Sequence, residues 1–243
     1  FPTETVELPS KGLVYPKDNP LSSGKVEMKY MTAKEEDILT NQNYIKDGTV
    51  LDKLLKALIV SNVNYDDLIV GDKNAVMVAA RILGYGADYT FKYENEETTV
   101  DLSELQSTYL DESKLLEEGV NRFEFTLPHS EVLITFKLLD NKDEKAIKSE
   151  VKGLKKINKQ SNPELSTRLK HIILSVNGDD DKKVIREFVD KYMLARDSRA
   201  FREYIKGFQP DIDLKFDLAG SDGIERETSL PMTVSFFWPD SKL

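Results

Sequence analysis

The side chains best suited to chemistry at neutral pH are two histidines, His129 and His171. His129 is followed by Ser130 and Glu131, which sets a hydroxyl and a carboxylate beside an imidazole, the residue types of nucleophilic catalysis. A triad is defined by geometry rather than adjacency, and no oxyanion-hole motif accompanies this one, so a histidine in a hairpin turn is expected. His171 lies beside Lys170 on a predicted helix, and neither histidine has a metal-ligating neighbour at usable spacing. The run Asp179, Asp180, Asp181 lacks the inner glycine that a calcium loop requires. Its place ahead of a predicted helix, where carboxylates meet exposed amides and the positive dipole end, accounts for it. Gly71 precedes a predicted helix and Gly84 and Gly86 follow it, which is not the layout of a phosphate-cradling loop. Adjacent acids such as Glu117 and Glu118 are expected by chance among 43 acidic residues and give no glycosidase signal. No catalytic residue, metal ligand or cofactor is therefore expected.

What remains is surface chemistry. Arg196, Arg199 and Arg202 fall three apart on a predicted helix, so their guanidinium groups line a stripe able to fork onto a partner's carboxylates. The competing reading is a solvated face with internal salt bridges to Asp197 and Glu203. Phe236, Phe237 and Trp238 near the chain end offer either an aromatic anchor for a partner or the final core strand.

The elements that must position these groups follow from periodicity. Residues 1–31 read as an arm with Pro2, Pro9, Pro16 and Pro20, then an edge strand in which Val26, Met28 and Tyr30 alternate with charge. Thr32 and Glu35 form a capping box for a short helix through Leu39. Thr49 and Asp52 resemble a weaker box before Leu51, Leu54, Leu55, Leu58 and Ile59, and Asp72 is a plausible N-cap for a helix that Gly84 stops. Two hairpins follow: Tyr89, Phe91 and Tyr93 with Val100 and Leu102 around a polar turn at 94–98, then Phe123, Phe125 and Leu127 with the run 132–138 around a turn at 128–131. Residues 140–205 read as three or four helices, one carrying Leu165, Leu169, Ile172, Ile173 and Val176, with stops at Gly178 and Gly207. Strands return with Ile212, Leu214, Phe216 and Leu218, a turn at 220–223, and an apolar strand ending in Trp238. The fold class is α+β, helices packed with small antiparallel sheets. Its organisation is an N-terminal part, 1–139, and a helical segment with a terminal hairpin, 140–243, or one integrated domain.

Composition sets the outer limits. A chain of 243 residues with 40% hydrophobic side chains can bury a core, and 43 acids against 34 bases give a net charge of −9, which repels nucleic acid. No apolar run reaches the ~18 residues of a membrane span, and the first ten residues lack the pattern of a signal peptide, although the sequence opens on Phe1 rather than Met. With no cysteine there are no disulfides and no thiolate ligands, consistent with cytoplasmic synthesis.

Several stretches together, MTAKEEDILTNQNYIKDGTVLDKLL, DDLIVGDKNAVMVAARILGYGADY, VDLSEL, MLARDSRAFREYIKGFQPDID and LPMTVSFFWP, resemble the baseplate-hub assembly proteins of T-even-type contractile-tailed bacteriophages. The likeness runs from Met31 to Pro239, with the Arg-Ile-Leu-Gly-Tyr-Gly stretch and the terminal Phe-Phe-Trp-Pro as its most specific parts. It implies a non-enzymatic assembly factor or chaperone, acting in the host cytoplasm and binding hub or tape-measure proteins. A structural baseplate subunit retained in the virion and a tail-associated cell-wall hydrolase are the alternatives. Many members of that family carry paired cysteines in two hairpins, matching the turns near 94–97 and 220–223. This sequence has none, so no structural zinc is expected and strand pairing must hold the hairpins.

Overall fold

The structure is a computed structural model that describes residues 2–230 and 233–237. Its arm is a strand, β1 (Thr3–Glu7), which pairs antiparallel with β2 (Lys25–Lys29) so that Thr3 faces Lys29 and Glu7 faces Lys25. In β2 the expected alternation holds, with Val26 and Met28 buried. Helix α1 (Ala33–Leu39) opens on the Thr32–Glu35 capping box, the Glu35 carboxylate accepting from the Thr32 amide at 2.8 Å. Next comes α2 (Gln42–Asp47), capped by Asn41; at six residues it is too short to leave a periodic signal. Helix α3 (Val50–Leu58) buries Val50, Leu54, Leu55 and Leu58, although the Thr49 side chain makes no capping bond.

Helix α4 (Val70–Tyr85) corrects both of its expected ends. Asp72 lies inside the first turn instead of capping it, and Gly84 is helical, the chain leaving the helix only at Gly86 with φ 85°. Strands β3 (Asp88–Tyr93) and β4 (Glu96–Asp101) form the first hairpin around a tighter turn than expected, Glu94 and Asn95, both with positive φ. A short strand, β5 (Ser107–Thr108), precedes the second hairpin, β6 (Phe123–Thr126) and β7 (Leu133–Phe136).

Helices α5 (Asn141–Ile157) and α6 (Glu164–Ile172) pack together, and then the chain turns to strand. Residues Ile173–Val176 form β8, antiparallel to β7, where a continuing helix was expected. The β-branched Ile172, Ile173 and Val176 suit either period, and the burial of Ile173 and Ser175 on one face of β8 decides for the sheet. Helix α7 (Lys182–Glu187) runs into a π turn (Phe188–Tyr192), and α8 (Ala195–Phe208) continues past Gly207, which is no stop. Strand β9 (Asp211–Ile212) pairs with β5, β10 (Lys215–Ala219) pairs with β11 (Glu225–Ser229), and Val234–Phe237 form α9, a helical turn where a strand was expected.

The architecture is α+β, with helices around antiparallel sheets of two or three strands. Elements from the two sequence halves interleave: β8 completes the sheet of β6 and β7, β9 pairs with β5, and one apolar cluster runs from Leu8 to Phe237. The tips of the β3–β4 and β10–β11 hairpins also meet, the Ser221 amide donating to Glu94 Oε2 at 2.8 Å. Strand pairing alone was expected to hold them; this contact adds to it. Among the described residues no helix is long and apolar enough to cross a membrane, and no group of three or more His, Cys, Asp or Glu is placed to hold a metal ion.

Candidate functional site

The residues singled out for catalysis are engaged in structure. His129 and Ser130 do meet a buried carboxylate, Asp197, donating to it through their backbone amides at 2.8 and 3.0 Å, and the Ser130 side chain adds to that hold. Burial pushes the Asp197 carboxyl up, and the Ser130 and His129 donors outweigh it, holding the group below its ordinary value. Asp197 thus ties the 128–131 turn to the first turn of α8, while the His129 side chain stays exposed. His171 reaches Glu150 at 2.6 Å, and Arg186 forks onto the same carboxylate. The Arg186 guanidinium, with help from His171 and against burial, holds Glu150 down at about 2. Asp181 caps α7 and Asp179 accepts from the Asp181 amide, so the acidic run is a pair of local caps.

Phe236 and Phe237 are buried, and the surface-anchor reading does not hold for them. Phe236 packs edge-on against Tyr89 at 5.0 Å, and its carbonyl accepts from buried Arg81 Nε at 2.9 Å. Arg81 also donates to the carbonyls of Gly86 and Asp88 and sits beneath the Tyr85 and Tyr89 rings, so α4 fixes α9 to the first hairpin. Trp238 lies outside the described residues.

The arginine stripe divides. Arg196, Arg199 and Arg202 are all exposed on α8, but a spacing of three lags the helical repeat, so successive guanidinium groups rotate around the helix. Arg199 turns to Glu203, pairing at 3.1 Å. Asp197, the other expected salt-bridge partner, faces the 128–131 turn instead. Arg202 alone of the three lines a groove of about 430 Å³.

That groove is built where both halves of the sequence converge. Leu139 accepts from the Val70 amide at 2.9 Å and Leu68 from the Asn141 amide at 3.0 Å, which sets the start of α4 beside the start of α5. Helix α5 is fixed there by a reciprocal cap, Asp143 N to Asp140 Oδ1 at 2.8 Å and Asp140 N to Asp143 Oδ2 at 3.1 Å. Ile69, Val70, Leu138, Leu139, Ile172, Ile205 and Pro210 give the groove its apolar lining. Its charged lining is Lys137, Arg168, Arg202 and Lys206 against a single acid, Glu144. Two of the cations are already paired: Lys137 with Asp143 at 2.7 Å, and Arg168 with Glu144 at 2.6 and 3.1 Å and with Glu164 at 3.0 Å. Arg202 and Lys206, four apart on α8, have no carboxylate partner among the described residues; Arg202 Nε donates only to the Ser198 carbonyl, at 3.3 Å. The groove therefore combines an apolar floor with unneutralised positive charge, in a chain whose net charge is −9.

Sequence reasoning found Arg202 and missed the rest. Lys206 was accessible, since it stands one helical turn beyond Arg202. Lys137, just past β7, and Arg168, on α6, arrive through pairings that no local pattern encodes. Comparison with known proteins gives no match: no family model, no curated protein and no solved structure matches the chain.

Proposed function

We propose that this chain is a non-enzymatic assembly protein of the baseplate hub of a contractile-tailed bacteriophage, binding hub or tape-measure components in the host cytoplasm. The sequence resemblance from Met31 to Pro239 supports the biological setting. The observation that carries the mode of action is the groove between α4, α5, α6 and α8, where apolar side chains and unpaired cations share one surface. Such a surface binds protein by desolvating an apolar contact and orienting it with charge-assisted hydrogen bonds.

Co-expression with candidate hub and tape-measure proteins, followed by affinity capture, tests this reading. A stoichiometric complex with one of them is expected; recovery of the chain alone against every candidate, or turnover of peptidoglycan by the pure protein, contradicts it. Mass spectrometry of finished particles then separates a factor that leaves, absent from them, from a subunit that stays at fixed stoichiometry.

A further inference from the structure

We infer that the groove takes a short linear segment of a partner in which a large aliphatic side chain is flanked by aspartate or glutamate. The inference rests on the assembly reading for the existence of a partner and adds the chemistry of what that partner presents.

Three observations converge. First, the apolar lining comes from the start of α4, the segment before α5, the end of α6, and α8 with the chain beyond it, and the half-open groove of about 430 Å³ is within the size range of ligand sites. An inserted aliphatic side chain matches Val70, Leu139, Ile172 and Ile205.

Second, the charges are graded. Lys137 and Arg168 already hold Asp143 and Glu144, while Arg202 and Lys206 are left to attract an incoming carboxylate. The two stand on one face of α8, about 6 Å apart at Cβ, so they suit carboxylates on neighbouring positions of one segment rather than a single point charge.

Third, the rest of the molecule is acidic. With 43 acids against 34 bases, the chain's net charge does not favour an anionic segment, so the attraction in the groove is local and comes from Arg202 and Lys206. Two unneutralised cations in such a field are too few to hold a nucleic-acid backbone, whose non-specific affinity grows with the number of phosphates neutralised.

The test is fluorescence anisotropy with a labelled Glu-Glu-Leu-Leu-Glu-Glu peptide and the full chain. Binding is expected, weakening as salt rises, and lost when the leucines become serine or the glutamates become lysine. Arg202→Glu with Lys206→Glu should weaken it by on the order of tenfold or more, while Arg199→Glu, which alters the pair with Glu203 outside the groove, should not. The milder Arg202→Gln with Lys206→Gln gives the same readout if charge reversal disturbs the helix. No binding, equal binding by the groove variants, or displacement by decanoate in place of the peptide overturns the inference. If the peptide fails while a hub complex still forms on capture, the segment chemistry is wrong and the assembly reading stands; if no complex forms either, both fall.

Discussion

Asp72 sits in the first turn of α4. It is fully buried, and three donors meet it: Ser10 N at 2.9 Å, Ser10 Oγ at 2.6 Å and Tyr15 Oη at 2.6 Å. Burial nevertheless outweighs these bonds and pushes its carboxyl from 3.8 to about 6. A carboxyl whose folded value lies above its unfolded one binds protons more readily in the fold, so its contribution to stability is complete below pH 3.8 and is lost as pH rises through about 6. The gap corresponds to roughly 3 kcal/mol. Denaturant unfolding of the wild type and Asp72→Asn from pH 3.5 to 7 should show the wild type's stability falling relative to the variant across that window; parallel profiles would refute the assignment. Thr167 presents a simpler case, its hydroxyl buried on α6 with no hydrogen-bond partner among the described residues. Thr167→Val keeps the shape and removes an unsatisfied polar group, so unfolding free energy should rise by about 1 kcal/mol. A loss instead would mean that the hydroxyl has a partner.

At the scale of elements, two of the helical glycines, Gly71 and Gly153, separate packing from propensity. A Cβ on Gly71 would lie 1.8 Å from the Pro210 carbonyl oxygen, because the first turn of α4 presses against the chain entering β9. One on Gly153 in α5 meets nothing within 4 Å. Gly71→Ala should therefore cost at least ~1–3 kcal/mol by overpacking, whereas Gly153→Ala should add up to ~1 kcal/mol of helix propensity. Thermal melts of the two variants should shift in opposite directions, and a shared sign would contradict the packing described here. The same elements show what local pattern can and cannot reveal. The Thr32–Glu35 box, the alternation of Val26 and Met28, and both central hairpins were legible because each depends on near neighbours. Strand β8 and helix α9 were not: Ile173 and Phe236 suit either period, and only pairing with β7 and the hold of Arg81 on the Phe236 carbonyl decide between them.

Across the whole molecule, the junction of the two halves is where the sequence was least informative and where the groove lies. Arg202 could be named from a helical spacing, but its companions Lys137 and Arg168 are brought to it by the β7–β8 pairing and by the contact of α5 with α6. The absence of a converging catalytic set among the residues first considered has a matching physical reason, since Asp197, Glu150 and Asp181 each spend their carboxylate on fixing a turn, a helix pair or a helix start. On the assembly reading proposed above, the working surface is the one that both halves build. The most direct test of the proposed reading is affinity capture of candidate hub and tape-measure proteins, comparing the wild type with Arg202→Glu plus Lys206→Glu and with Arg199→Glu. A complex that survives in the wild type and in Arg199→Glu but is lost in the double variant is the predicted result; a complex untouched by the double variant, or none at all, would contradict the account.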